Sequence, residues 1–362
     1  MIWAAVVTLY GSSFVFATHP EGHFPESGVP APVPGYASVP HIALMLPLQS
    51  PSFGTAAETV KQGFVTAAQR EAGLPLTIRI YSTSDDPLDI LITYNQALDA
   101  GAVLVVGPLT RDGVTALASS HVVVVPTLAL NNVDVEMMLP PNLYSFGLQM
   151  ESEAIQIAEM ALSTARNHAI VIKDRGGLSQ RLQDAFANRW LSEFGKTVES
   201  IEYDDDQAFF SRLRQYTAGE QDLVFLILDA EKTRRIRSYL SPETPVYATS
   251  QVFITNQDPL FNHDLNGIRF MDMPWLLQPD HPAVMAYRNS ESEKDKDSER
   301  LFAFGIDAFR LMRYMLQAQS PYEISFDGVT GYIRFAGPAQ FVRKPIAAEI
   351  DQGKVKVLEK FQ

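Results

Sequence analysis

Apolar residues in this chain fall into short unbroken runs that alternate with segments of helical spacing. The clearest instance is residues 101–132, GAVLVVGPLTRDGVTALASSHVVVVPTLALNN. Short β-branched and aliphatic runs closed by a turn residue mark strands buried on both faces, so AVLVV and VVVVP are read as two strands. Between them, Gly107 and Pro108 end the first strand, Thr110 caps a helix, and Val114, Leu117 and Ala118 form its inward face. The unit is therefore βαβ. A right-handed crossover makes its strands parallel and brings their carboxyl ends to one rim, where open α/β sheets bind ligands.

The alternation continues on both sides. HIALMLPL is a strand, and the helix after it carries Val60, Phe64 and Ala67 on one side; LPLTIRIYS and DDPLDILITYNQALDAG add a strand and a helix. After NLYSFGLQ the series restarts with a helix through Glu151 to Ala165, then the strands HAIVIKD, TVESIEY, DLVFLILD and PVYATS, separated by further helices. GIRFMD is another strand, and NSESEKDKDSER is a charge run expected to be a solvated loop or helix face. RLFAFGIDAFRLMRYMLQAQ places Phe302, Ile306, Phe309, Met312 and Leu316 on one helical face. The end, FDGVTGYIRFAGPAQFVRKPIAAEIDQGKVKVL, gives two or three strands with Gly-containing turns.

At 362 residues and 46% hydrophobic content, the chain exceeds what one packed core accommodates. The expected fold is α/β and two-lobed, with two doubly wound, mainly parallel sheets joined by a hinge. The expected first lobe spans residues 41–145 plus about 275–325, and the second 146–274 plus about 326–362. A formal net charge of -13 argues against a nucleic-acid partner, which needs clustered cations. Cysteine is absent, which excludes disulfides, thiol chemistry and thiolate metal sites. MIWAAVVTLYGSSFVFA, with Val15 and Ala17 before Thr18, reads as a signal peptide over 1–17, although no Lys or Arg precedes its apolar core. The Pro- and Gly-rich residues 18–40 read as a linker, and His19 and His23 within it as incidental. The expectation is a periplasmic protein without outer-membrane lipid anchoring, since there is no Cys to acylate.

The order of VVGPLTR, VPTLALN, LYSFGLQMESEA, IVIKDRGG, YATSQ, FGIDAFRLM and FDGVTGYIRFAGP resembles type I periplasmic binding proteins, the family that includes leucine/isoleucine/valine receptors. GPL followed by PTLALNN, LYSFGLQMESEA and FGIDAF is more similar still to the binding-protein-like domain of the penicillin-binding-protein activators, the LppC/LpoA-like family. The resemblance runs from about His41 to the C-terminus. It implies a non-enzymatic envelope protein that stimulates a bifunctional peptidoglycan synthase by contact. The alternative is a solute receptor that delivers an amino acid or similar small molecule to an ABC permease.

Transferred onto the type I pattern, the cleft is lined from the first lobe by Ser50, Ser52, Leu109, Thr110, Thr127 and Leu128. From the second lobe come Asp174, Arg175, Asp229, Ser250 and Gln251. In a receptor, helix N-termini and hydroxyls of one lobe hold a carboxylate while an acid of the other, Asp174 or Asp229, holds an ammonium. Each also has a structural reading: Thr110 as a helix cap, Asp174 and Asp229 as caps or turns, Arg175 as a neutralising neighbour. Asp307 in FGIDAF is expected to be structural, and Met137, Met138, Met271 and Met273 to pack in the core or between lobes. The Asp204–Asp206 run reads as a solvated loop. No Ser-His-Asp order or HExxH pattern occurs in a persuasive setting, so no enzyme, metal or cofactor is expected.

Overall fold

A computed structural model describes residues 38–358 except 72, 134–136, 165, 218, 254–258 and 289–294. The expected signal peptide, His19, His23 and most of the linker lie outside the described residues. The first lobe is assembled from β1 (His41–Leu46), α1 (Gly54–Arg70), β2 (Thr77–Ser82), α2 (Pro87–Asp99), β3 (Ala102–Val106), α3 (Arg111–Ala118), β4 (Thr127–Ala129) and β5 (Leu143–Phe146). Its strands pair in parallel in the order β2-β1-β3-β4-β5. The second lobe contains α4 (Met150–Leu162), β6 (His168–Lys173), α5 (Gly177–Phe194), β7 (Glu199–Glu202), α6 (Gln207–Tyr216), β8 (Asp222–Ile227), α7 (Ala230–Arg237), β9 (Val246–Ala248) and β10 (Ile268–Asp272). Here the parallel order is β7-β6-β8-β9-β10.

The chain then returns to the first lobe through α8 (Pro274–Leu277), α9 (Pro282–Met285), α10 (Lys296–Gln317), β11 (Ser325–Asp327), β12 (Tyr332–Ala336) and β13 (Gln340–Lys344). It ends on the second sheet with β14 (Ile346–Asp351) and β15 (Lys354–Val357), both antiparallel. Three passages therefore join the lobes: residues 147–149, Met273 and Pro345.

Local chemistry sets the helix starts. Asp86 accepts from the Leu88 N–H at 2.7 Å with Pro87 at the first helical position of α2, and Thr110, Asp206, Asp229 and Asp295 cap α3, α6, α7 and α10 in the same manner. In the first lobe α1 crosses α10 so closely that a Cβ on Gly63 would overlap the Phe302 carbonyl oxygen, and one on Gly305 the Val60 carbonyl oxygen. That contact seats Phe64 edge-on to Phe309, with ring centroids 5.3 Å apart, and buries Phe304 against Phe146. In the second lobe Phe186 stacks on both Trp190 and Phe225.

Four expectations change. The VVVVP run forms no ladder: β4 begins at Thr127, after the Val105 N–H has donated to the Pro126 carbonyl, and Val124 is 65% exposed. Val122, Val123 and Val125 instead lie partly buried against the cluster of Ile90, Tyr94 and Ala97, where side-chain contact alone satisfies them. The final return to the second lobe lies at Pro345 and not near residue 326. Phe326, Ile333 and Phe341 bury in the first core, and β13 pairs with β5 in parallel. Met138 is exposed, whereas Met137, Met271 and Met273 pack. The charge run is not wholly solvated, because its end forms the first turn of α10, with Glu299 buried and hydrogen-bonded to the Trp275 indole N–H.

Since both glycines face backbone, Gly305→Ala should destabilise the fold by about 1–3 kcal/mol through overpacking. Chemical denaturation read by circular dichroism measures this against Gln69→Ala on the exposed side of α1. An equal midpoint for the two variants would contradict the close crossing.

Candidate functional site

The rim expected from the central βαβ unit is present. Gly107 takes φ +115° at the end of β3, pressed against the Met45 carbonyl, and the chain beyond it carries Leu109 and Thr110 into the cleft. A cavity of about 480 Å³ opens there, walled by Phe53, Leu109, Leu130, Leu148, Leu301 and Phe304 and edged by Thr110, Arg111 and Asn131. A second cavity of about 240 Å³ lies at the three lobe crossings and shares Leu148 and Leu301 with the first. Glu153, Ser250, Gln251, Asp272, Arg300 and Arg343 line it.

The eleven candidates named from the sequence do not converge. Leu109 and Thr110 line the cleft cavity, and Ser250 and Gln251 line the hinge cavity. Ser50 is a turn residue whose hydroxyl accepts from the N–H groups of Ser52 and Phe53 at 3.2 and 3.0 Å. Thr127 is fully buried, with its hydroxyl 2.7 Å from the Tyr94 hydroxyl, and Leu128 belongs to the first core. Both point into the lobe because a strand alternates its faces and β4 is covered on each. Asp174 is paired with Lys232, which holds its carboxyl below the usual range. Asp229 caps α7 by accepting from the Lys232 N–H at 2.8 Å. Arg175 is exposed and pairs at 3.4 Å with Glu202 and 3.7 Å with Asp204. Asp307 accepts from the N–H groups of Val329 and Thr330 and from the Thr330 hydroxyl, pinning the β11–β12 turn to α10.

Most of the charge between the lobes comes from residues outside that set. Arg300, in the first turn of α10, holds Asp272 at the end of β10 with contacts of 2.6 and 3.3 Å. It also donates to the Ser250 carbonyl at 3.1 Å and to Asp297 at 3.0 Å. Burial opposes its charge, but Asp272 outweighs burial and raises the Arg300 pKa. Glu153 accepts from the Ser250 N–H at 2.5 Å and hydroxyl at 3.1 Å, and burial pushes its carboxyl up to about 7. Lys296 sits 4.8 Å over the Phe253 ring, and burial beside Arg300 lowers its ammonium to about 7. Across the cleft, Glu151 of α4 accepts from Arg111 of α3 at 3.1 Å and Arg181 of α5 at 2.9 Å. Burial alone would raise Glu151; these hydrogen bonds outweigh it and lower its pKa. One signal in the sequence pointed here: Arg300 precedes buried Phe304 by four positions, on the same face of α10.

Chemically, the arrangement favours holding over transforming. Its carboxylates are tied to cations or backbone donors. The histidines His41 and His168 are bonded to Tyr81 and Asp222, on other parts of the surface.

The Glu153 carboxyl sits at about 7 in the folded chain against an ordinary 4.5. A raised carboxyl pKa means the folded state prefers the proton, so this contribution is complete below the unfolded pKa and is lost as pH rises through the folded one. Between about pH 5 and about pH 8 the chain should lose up to about 3 kcal/mol that Glu153→Gln does not lose. Denaturation at both pH values checks this, and identical pH slopes for the two proteins would refute it.

Comparison with known proteins adds the following. The family profile described as "LppC putative lipoprotein" matches residues 36–216 and 211–347. The penicillin-binding protein activator LpoA of Photobacterium profundum is 24% identical over 335 residues, which cover 82% of this chain and 53% of that one. LpoA of Glaesserella parasuis is 26% identical over 305 residues, 82% of this chain and 51% of that one. The chain thus spans about half the length of the curated relatives it matches. Among solved structures, the C-domain of Haemophilus influenzae LpoA, described as a regulator of PBP1A, superposes with TM-score 0.74 at 22% identity, covering 88% of this chain and 99% of that one. A Chromobacterium violaceum structure described as a "putative branched-chain amino acid ABC transporter" has TM-score 0.74 at 37% identity, covering 86% and 99%.

Proposed function

The chain belongs to the LppC family, and on that premise we propose that it is a non-enzymatic regulator in the bacterial envelope, acting on a peptidoglycan synthase through protein contact. The observation that carries this reading is the state of the two acids an amino-acid receptor requires. Lys232 pairs with Asp174, and Asp229 caps its own helix, so the position that would balance an ammonium is already engaged inside the second lobe. The relatives named as activators point the same way. The partner is a penicillin-binding protein, and the location is the periplasmic side of the envelope.

The receptor reading has one specific support. The Chromobacterium violaceum chain is of matching length and its description names a branched-chain amino acid transporter, while the 480 Å³ cavity here is largely apolar.

Two measurements separate these readings. Immobilised protein beginning at Thr18 should retain a bifunctional peptidoglycan synthase from envelope extracts and raise the purified synthase's polymerisation or crosslinking rate. Leucine, isoleucine and valine should leave its melting temperature unchanged, because only a ligand that binds the native state raises it. A large upward shift with leucine and no captured synthase would reverse the assignment.

A further inference from the structure

The hinge cavity holds a cation that nothing in the fold neutralises. Arg343, in β13 two residues before the Pro345 crossing, donates only to the Thr330 carbonyl, at 3.4 Å, and no described carboxylate pairs with it. The contrast with its neighbours is sharp: Arg300 has Asp272 and Asp297, and Arg310 has Asp307 and Glu71. Burial lowers the Arg343 pKa, yet a guanidinium stays charged at any physiological pH, so a desolvated cation is left with unused donors. A planar fork of donors matches a carboxylate in two-point contact.

From that point the space runs on into apolar surface. Arg343 lines the 240 Å³ cavity, whose walls Leu148 and Leu301 are also walls of the 480 Å³ cleft cavity with Leu109, Leu130 and Phe304. The acids around the hinge are engaged, Asp272 and Asp297 by Arg300 and Glu153 by Ser250, so an ammonium entering here would meet no free partner. We infer that the two cavities form one site for an amphiphilic monocarboxylate, its carboxylate against Arg343 at the hinge and its apolar chain along Leu148 and Leu301 toward Phe304. This binding mode is not that of a zwitterionic amino acid held between helix N-termini and an acid of the second lobe. It rests on the geometry of this chain alone and stands or falls independently of any synthase partner.

Isothermal titration of the chain with hexanoate, 1-hexanol, hexylamine and leucine tests it. Hexanoate should bind at least about tenfold more tightly than the other three, the difference a charge-assisted two-point contact supplies. Arg343→Gln should weaken hexanoate about tenfold and leave hexanol unchanged. Leu301→Trp, which fills the shared wall without touching the charges, should abolish hexanoate binding and covers the case in which the arginine variant does not fold. The inference is overturned if hexanoate fails to bind at millimolar concentration, if hexanol or leucine matches it, or if Leu301→Trp or a folded Arg343→Gln binds hexanoate as the parent does.

Discussion

The ion pair between Arg300 and Asp272 is the contact on which the relation between the lobes depends. Arg300 leaves a helix packed in the first core, Asp272 closes a strand of the second sheet, and all three lobe crossings contribute walls to the cavity beside them. With side chains 14% and 4% exposed, neither charge is well hydrated, so breaking the pair leaves one uncompensated ion inside the protein. That penalty is about 3–5 kcal/mol, although forming the pair contributes little net stability relative to apolar packing. The pair therefore acts as a specification of geometry. Arg111, Glu151 and Arg181 repeat the device across the cleft, again joining α3 of one lobe to helices of the other.

The cleft's chemistry follows from this economy of charge. Carboxylates that could have served a ligand are held by Lys232, Arg300, Ser250 or their own helix starts, and the walls that remain are leucine and phenylalanine. The type I body is common to receptors and activators, and what differs is the side chains at the strand ends and the hinge. Here those side chains favour a body that presents a set shape, with Arg343 as the one unneutralised charge facing the interior of the hinge.

Much of the architecture was legible in the residues. HIALML, AVLVV, HAIVIK and DLVFLI are fully or almost fully buried strands, and the spacing of Ile306, Phe309 and Met312 matches the buried face of α10. The ordered motifs also pointed to the family now matched over both lobes. The VVVVP run misled because β-branched composition reports burial and not hydrogen bonding; a β-ladder needs a neighbour of matching length, and β4 has one only from Thr127 onward. The site was less legible. Asp174 and Lys232 are separated by 58 positions and Glu153 and Ser250 by 97, so no local spacing reveals that these groups are already paired. Arg300 was hidden in a run that reads as solvated charge, and Arg343 in a hairpin whose sheet could not be assigned from sequence alone.

Because the chain contains no cysteine, spin labels can be placed without background, at Gln69→Cys on α1 and Asn188→Cys on α5. Distance distributions between them by double electron–electron resonance test the central claim that the Arg300–Asp272 pair fixes the aperture of the lobes. A single narrow distribution that broadens in Arg300→Met is the predicted result. A parent distribution already broad or two-peaked, or one left unchanged by Arg300→Met, would contradict it.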